Sequence, residues 1–144
     1  MKIAVISDIH SNLEAFHAVF NQMGKVDQIL CLGDFVGYEA RPNEVIEFAK
    51  QLKMVSVMGN HDYASLTNDT SGFNPYATMA AHYTHQHLSK ESREFLANLP
   101  IKSKIKIKGY TFCLFHGSPE DPLNEYIFPE TGKTSRGPGT IRTF

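Results

Sequence analysis

Short β-branched runs alternate along the chain with stretches in which apolar residues recur every three or four positions. Lys2 to Ser7 (KIAVIS) has the composition of a buried strand. After a turn carrying Asp8 and His10, Ser11 and Glu14 form S-x-x-E, a capping box that opens a helix. Leu13, Phe16, Phe20 and Met23 mark its apolar stripe, and Gly24 closes it. The pattern then repeats. Gln28 to Leu32 is a strand, Gly33-Asp34 starts a loop, and Pro42 opens a helix with Val45, Ile46, Ala49 and Leu52 as its buried stripe. A third strand, Met54 to Met58, ends at Gly59-Asn60-His61-Asp62. Strand–helix alternation with short connections predicts βαβ units and a parallel sheet.

Residues 63–74 are rich in turn formers, and helices are expected over Pro75–Leu88 and Ser89–Asn98. In IKSKIKIK, Ile101, Ser103, Ile105 and Ile107 alternate with four lysines, which is strand patterning with a solvated basic face. Such a strip also suits phosphate, but an exposed strand face is the preferred reading. Gly109-Tyr110 turns the chain into TFCLF, a buried strand ending at His116. After Glu130 the composition shifts to TGKTSRGPGTIRTF, without acidic residues and with little apolar periodicity. Residues 1–130 therefore read as one domain and 131–144 as an atypical C-terminal tail. Thr131-Gly132-Lys133-Thr134 mimics a phosphate loop, but the glycine that motif needs five positions earlier is Ile127.

Composition excludes some functions. Fourteen Lys plus Arg balance 15 Asp plus Glu, so no stable nucleic-acid binding and no polybasic membrane anchor is expected. No run approaches the ~18 apolar residues of a membrane span, and Asp8 and His10 come too early for a signal peptide. Cys31 and Cys113 both sit in apolar runs and read as buried free thiols, which suits a reducing cytoplasm.

The chemistry lies at the strand ends. Asp8 and His10 follow the first strand, Asp34 the second, Asn60 and His61 the third, and His116 the last. Open α/β sheets bind ligands beyond the carboxyl ends of their strands, so four segments would meet at one rim. Mixed carboxylate, amide and imidazole donors suit divalent cations such as Mn²⁺, Fe²⁺ or Zn²⁺. Asp8 and His10 fit one ion, Asn60 and His116 another, with Asp34 the natural bridge. Two ions about 3.5–4 Å apart lower the pKa of water and clamp phosphoryl oxygens during in-line attack. Each signal has a bland counterpart: Asp-x-His also serves as a turn and helix cap, and Asn-His also occurs in plain loops. Their order, each at a strand end, is what favours chemistry. His17, His82, His85 and His87 read as helix residues, and His85 and His87, two apart, point to different faces.

Asp8-Ile9-His10, Gly33-Asp34-Phe35-Val36-Gly37, Gly59-Asn60-His61-Asp62 and His116-Gly117-Ser118-Pro119 together resemble four consecutive signatures of the calcineurin-like metallophosphoesterase superfamily. Phe73-Asn74-Pro75 and Pro122-Leu123-Asn124-Glu125-Tyr126 are similar to its small prokaryotic phosphodiesterase branch, which includes diadenosine-tetraphosphatase-like proteins. The resemblance implies an α/β/β/α sandwich and a metal-dependent phosphomonoester or phosphodiester hydrolase. By motif, Asp8, His10 and Asp34 would hold one metal, and Asp34, Asn60 and His116 the second. The cofactors would be two divalent ions drawn from Mn, Fe, Zn or Ni. His61 would meet the phosphate as a catalytic residue, stabilising charge or protonating the leaving oxygen. Gly37 stands where some branches place an acidic partner for that histidine.

The substrate class implied is a small phosphate ester, nucleotides included. The family's later Gly-His-x-His does not occur in these 144 residues, so the sandwich is expected to be C-terminally incomplete, with three protein ligands per ion. A truncated or frame-shifted product is the preferred account. A natural short form completed by a second copy is the other, and open sheet edges would favour such a homo-oligomer. A silent metal- or phosphate-binding module is the alternative to an active enzyme.

Overall fold

Three parallel strands carry the rim. In a computed structural model, which describes residues 1–128, 133–136 and 141–143, β1 (Ile3–Ile6), β2 (Gln28–Cys31) and β3 (Val55–Ser56) pair in the order β1-β2-β3. Helices α1 (Leu13–Met23) and α2 (Pro42–Gln51) make the crossovers. Val45, Ile46 and Ala49 are buried as the helical spacing predicts, in one core cluster with Phe16, Cys31, Phe35 and Leu96. Leu96 lies on α5 (Lys90–Ala97), which follows α4 (Pro75–His87).

The other sheet face packs against a hairpin. Strands β4 (Lys102–Ile107) and β5 (Tyr110–Phe115) pair antiparallel through a turn in which Lys108 and Gly109 both have positive φ. The lysines of β4 are exposed while Ser103, Ile105 and Ile107 are partly covered, as the alternation predicts. Leu30, Val57 and Leu114 are buried between the two sheets. The layers are thus helices, parallel sheet and antiparallel hairpin, as in the expected sandwich. Strand β6 (Glu125–Phe128) pairs with β7 (Lys133–Arg136), and β7 with β8 (Ile141–Thr143). Part of the tail beyond 130 is therefore strand. Thr131 and Gly132, half of the phosphate-loop mimic, lie outside the described residues.

Three sequence expectations change. Ser11 does not cap α1: Asn12 does, its Oδ1 accepting the Ala15 N–H at 2.9 Å, while Ser11 sits at φ +57°. Residues 60–67 are helical (α3, Asn60–Thr67) rather than turn from 63 onward, and Asn68 ends the helix at φ +64°. Cys113 is exposed, because period two along β5 puts it opposite the buried Leu114. Cys31 is buried and free as expected.

The loops after the three strands are stitched together by backbone. Asp8 N–H donates to Gly33 C=O at 3.1 Å, His10 N–H to Asp34 C=O at 3.0 Å, and Ser11 N–H to Phe35 C=O at 2.8 Å. Asp62 adds the stronger tie. Fully buried, it accepts three backbone N–H bonds: Asp34 at 2.9 Å and Gly59 at 3.0 Å on Oδ2, and Val36 at 3.1 Å on Oδ1. Burial pushes its carboxyl up to about 6, with the three amides pulling the other way. Gly33 is forced by close approach: at φ +98°, a Cβ there would sit 2.5 Å from the Gly59 nitrogen.

Asp62→Ala strands three buried amides, each costing about 1–3 kcal/mol. The expected loss is about 3 kcal/mol or more in urea unfolding; a loss under about 1 kcal/mol would remove Asp62 from this role. Gly33→Ala is expected to destabilise by more than the ~1 kcal/mol typical of an Ala forced to positive φ, because it also pushes the β2 and β3 loops apart. An unchanged melting temperature would contradict that.

Candidate metal centre

Every residue singled out from the strand ends arrives at one place. Asp8 and His10 leave β1, Asp34 leaves β2, Asn60 and His61 form the first turn of α3, and His116 follows β5. His116 joins the second sheet to the first: its Nδ1 lies 2.8 Å from the Leu32 carbonyl and its Nε2 3.0 Å from Asn60 Oδ1. Asp8, His10, Ser11 and Asp34 all adopt φ between 50° and 58°. Such conformations are uncommon for residues with a Cβ, and they cluster at functional sites where the surroundings enforce them.

Asp34 is at the centre and 2 % exposed. Its Oδ2 lies 3.4 Å from His116 Nε2 and 3.7 Å from His10 Nε2, while its Oδ1 accepts the His61 N–H at 2.9 Å. Asp8 Oδ1 lies 3.6 Å from His10 Nε2. Two groups could each hold a metal ion, Asp8 with Asp34 and His116, and His10 with Asp34 and His61. Asp34 belongs to both, the placement expected of a bridge. The grouping differs from the motif-based pairing: His116 stands with Asp8 as well as with Asn60, and His61 stands with His10 and Asp34.

The donor chemistry fits cations. His10 Nδ1 faces the Val36 carbonyl at 3.1 Å, and His116 Nδ1 faces that of Leu32. A carbonyl only accepts, so each Nδ1 carries a proton, and Nε2, on the side of Asp34, is the nitrogen left to offer a lone pair to a ligand. Carboxylate oxygens, imidazole lone pairs and the Asn60 carbonyl then face one another. A divalent cation relieves that opposition of acceptors.

Electrostatics without an ion record the same tension. Burial raises the Asp34 carboxyl well above its usual range, the Asp62 charge adds to this, and His10 opposes it. Asp8 is held down to about 2, chiefly by its hydrogen bond to His10. For His10, burial lowers the pKa, but Asp8, Asp34 and the Val36 carbonyl outweigh it and leave the group raised. His61 is pushed down to about 4 by burial and then by His10 and His116.

His61 is held by rings. It lies 4.8 Å from the Tyr38 ring and 4.6 Å from that of Phe73, both tilted by 37°. Its Nδ1 is buried without a hydrogen-bond partner among the described residues, and a Cβ on Gly37 would stand 2.6 Å from it. Sequence reading missed Tyr38, Phe73 and the anchoring role of Asp62. For Asp62 a signal existed: an acidic residue at the third position of a helix beginning at Asn60. The other histidines lie elsewhere, on helices as expected: His17 against Phe48, His82 on Asn68, His85 on the Ser65 carbonyl, and His87 on that of Tyr83.

Hollows flank the cluster. One of about 490 Å³ is lined by Asp8, His10, Asn12, Tyr38 and Glu39 among others. Another, about 330 Å³, starts at Asn60, and a third, about 240 Å³, at His61. No helix among the described residues is long and apolar enough to cross a membrane.

Comparison with known proteins agrees with this geometry. An uncharacterized protein of Methanocaldococcus jannaschii is 44% identical over 132 residues, which is 89% of this chain and 54% of that protein. The crystal structure of a metallophosphoesterase from Sphaerobacter thermophilus matches with a TM-score of 0.74 and 41% identity, over 89% of this chain and 51% of that one. A hypothetical protein from Pyrococcus horikoshii matches with a TM-score of 0.68 and 26% identity, over 85% and 57% of the two chains. The chain thus spans about half the length of the relatives it matches. The family model for calcineurin-like phosphoesterases covers residues 1–137. With the strand-end cluster and the sandwich layers in place, the chain belongs to the calcineurin-like phosphoesterase family.

Proposed function

We propose that the chain carries the metal-binding part of a phosphomonoesterase or phosphodiesterase that uses two divalent ions, Mn²⁺ being a suitable pair. The observation that carries this reading is Asp34, a buried carboxylate shared by two potential ligand groups and facing two histidine nitrogens. Asp8, His10 and Asp34 would hold one ion, and Asp34, Asn60 and His116 the other. Bound ions supply Lewis-acid polarisation of a phosphoryl oxygen and a nucleophile from water near neutral pH.

The chain's own groups do the positioning. The Val36 and Leu32 carbonyls hold the imidazoles of His10 and His116 in the tautomer that ligates. Asp62 keeps the Asp34 loop against the start of α3, which fixes the distance between the two halves of the site. His61, a member of the same cluster, would hydrogen-bond the phosphoryl group or the leaving oxygen. The organic part of the ester would occupy the hollows on either side.

With added Mn²⁺ the protein is expected to hydrolyse a generic aryl phosphodiester. Asp34→Ala should lower the rate at least about 100-fold, since even groups supporting a metal ligand cost 10–100-fold. Activity retained in that variant would refute the bridging role. Calorimetric Mn²⁺ binding without turnover would favour the silent metal-binding module instead. Asp34→Asn supplies a readout independent of turnover. It removes a buried charge that Asp62 repels, so the metal-free variant should melt higher than wild type. Mn²⁺ should raise the melting temperature of wild type and leave that of the variant unchanged. A metal-induced shift that survives in Asp34→Asn would place the ions elsewhere.

A further inference from the structure

The hollow of about 330 Å³ beside Asn60 has a composition that selects its occupant. Its wall carries three aromatic rings, Tyr63, Phe73 and Tyr126, and both tyrosines are substantially exposed. Tyr126 also reaches the metal cluster, where its hydroxyl lies 3.5 Å from Asn60 Nδ2. Phe73 packs on His61 with ring centroids 4.6 Å apart, so the same cleft borders both candidate site residues of α3. The adjoining hollow of about 240 Å³ shares Phe73 and Tyr126 and continues to Tyr38. Flat apolar walls one step from a phosphoryl site accept a planar ring joined to the phosphate through a short linker.

The polar groups narrow the class. Among the described residues no Lys, Arg or His lines the 330 Å³ cleft, whereas Asp69 does. Ser71 donates its N–H at 3.0 Å and its hydroxyl at 2.6 Å to Asp69 Oδ1, which fixes that carboxylate in place. A carboxylate with no cation beside it repels a second phosphate and accepts N–H donors.

We propose that this cleft is a base subsite, in which Tyr63 and Tyr126 stack an amino-bearing nucleobase of the phosphate ester while Asp69 accepts its N–H groups. The assignment rests on the phosphoesterase reading for the role of the cleft, and its binding arm is independent of that reading. A chain of further phosphates is disfavoured on this side.

The first arm uses the metal-free 144-residue protein and saturation-transfer NMR with free adenosine and purine riboside, which lacks the amino group and gains no other N–H donor. Transfer to the base protons of adenosine is expected, several-fold weaker for purine riboside. Tyr126→Ala and Tyr63→Ala should each reduce adenosine affinity about tenfold. Asp69→Ala should erase the preference for adenosine. All three positions are exposed, and an unchanged melting temperature confirms that each variant folds. Absence of transfer, or transfer unaltered by all three substitutions, overturns the subsite. The second arm compares, with Mn²⁺, the p-nitrophenyl phosphodiesters of adenosine and of methanol. A preference of at least about tenfold in kcat/KM for the adenosine ester, lost in Tyr126→Ala, supports the subsite. Equal rates on the two esters overturn it. Adenosine binding with neither ester hydrolysed would sink the phosphoesterase reading and with it the cleft's role in substrate choice.

Discussion

One buried carboxylate joins the halves of the rim. Asp62 sits on α3, yet two of its three amide donors, Asp34 and Val36, belong to the loop after β2. Its third bond, to Gly59, holds the start of its own helix. Apart from these bonds the β2 and β3 ends are tied by the Asp34–His61 bond and a short ladder, in which β3 pairs with β2 through two residue positions. Three buried bonds to one carboxylate resist displacement better than so short a ladder. Gly33 and Gly59 supply the contact distance this needs: a Cβ on either would collide with the other loop. Sheet, clamp and glycines thus form a single mechanical unit beneath the cluster.

That unit supports a destabilised centre. Asp34 and Asp62 are both buried acids close to one another, and five non-glycine residues in the β1 and β2 loops (Asp8, His10, Ser11, Asp34 and Tyr38) hold positive φ. Backbone strain of this kind costs on the order of 1 kcal/mol per residue. Folding offsets it with the apolar clusters on the two faces of the sheet, around Phe35, Val45 and Ile46 on one side and Leu30, Val57 and Leu114 on the other. A divalent cation would turn the opposition of acceptors around Asp34 into attraction. The centre is therefore arranged for a ligand at the expense of metal-free stability, as functional sites commonly are.

Strands β1 to β5 were legible because each is a short run with β-branched or alternating apolar residues, and the cluster because every member follows one of them; β6 to β8 were not. The βαβ rule then implies a shared rim without any knowledge of side-chain direction. What escaped depended on neighbours in space. Cys113 looked apolar in sequence, but β5 covers only one face, and alternation put Cys113 on the other. Asn12 and Ser11 are both good caps; the positive φ enforced on Ser11 by the β2 loop gives the cap to Asn12. The helix after Gly59 was missed because its buried side consists of Asn60, His61, Asp62, Ala64 and Ser65, polar or small residues that give little apolar periodicity. Asp62 was quoted within a motif, and its bond to Gly59 follows from its place in the first helical turn, but its two bonds to the β2 loop reach backbone amides, which carry no sequence signature.

His61 illustrates how ring packing can take the place of a charged support. With glycine at position 37, no side chain can support His61 Nδ1 from that direction, and the distance leaves no room for one. Charge does not hold the ring either, since burial and the neighbouring imidazoles depress its pKa to about 4. Its ring packs instead against Tyr38 and Phe73, both tilted by 37°, and against the edge-on ring of His10 at 4.7 Å. Phe73 also forms a wall of the cleft beside Asn60. A ring entering that cleft would press on the group that fixes His61, which would couple occupancy of the proposed subsite to the placement of His61 through a shared apolar contact.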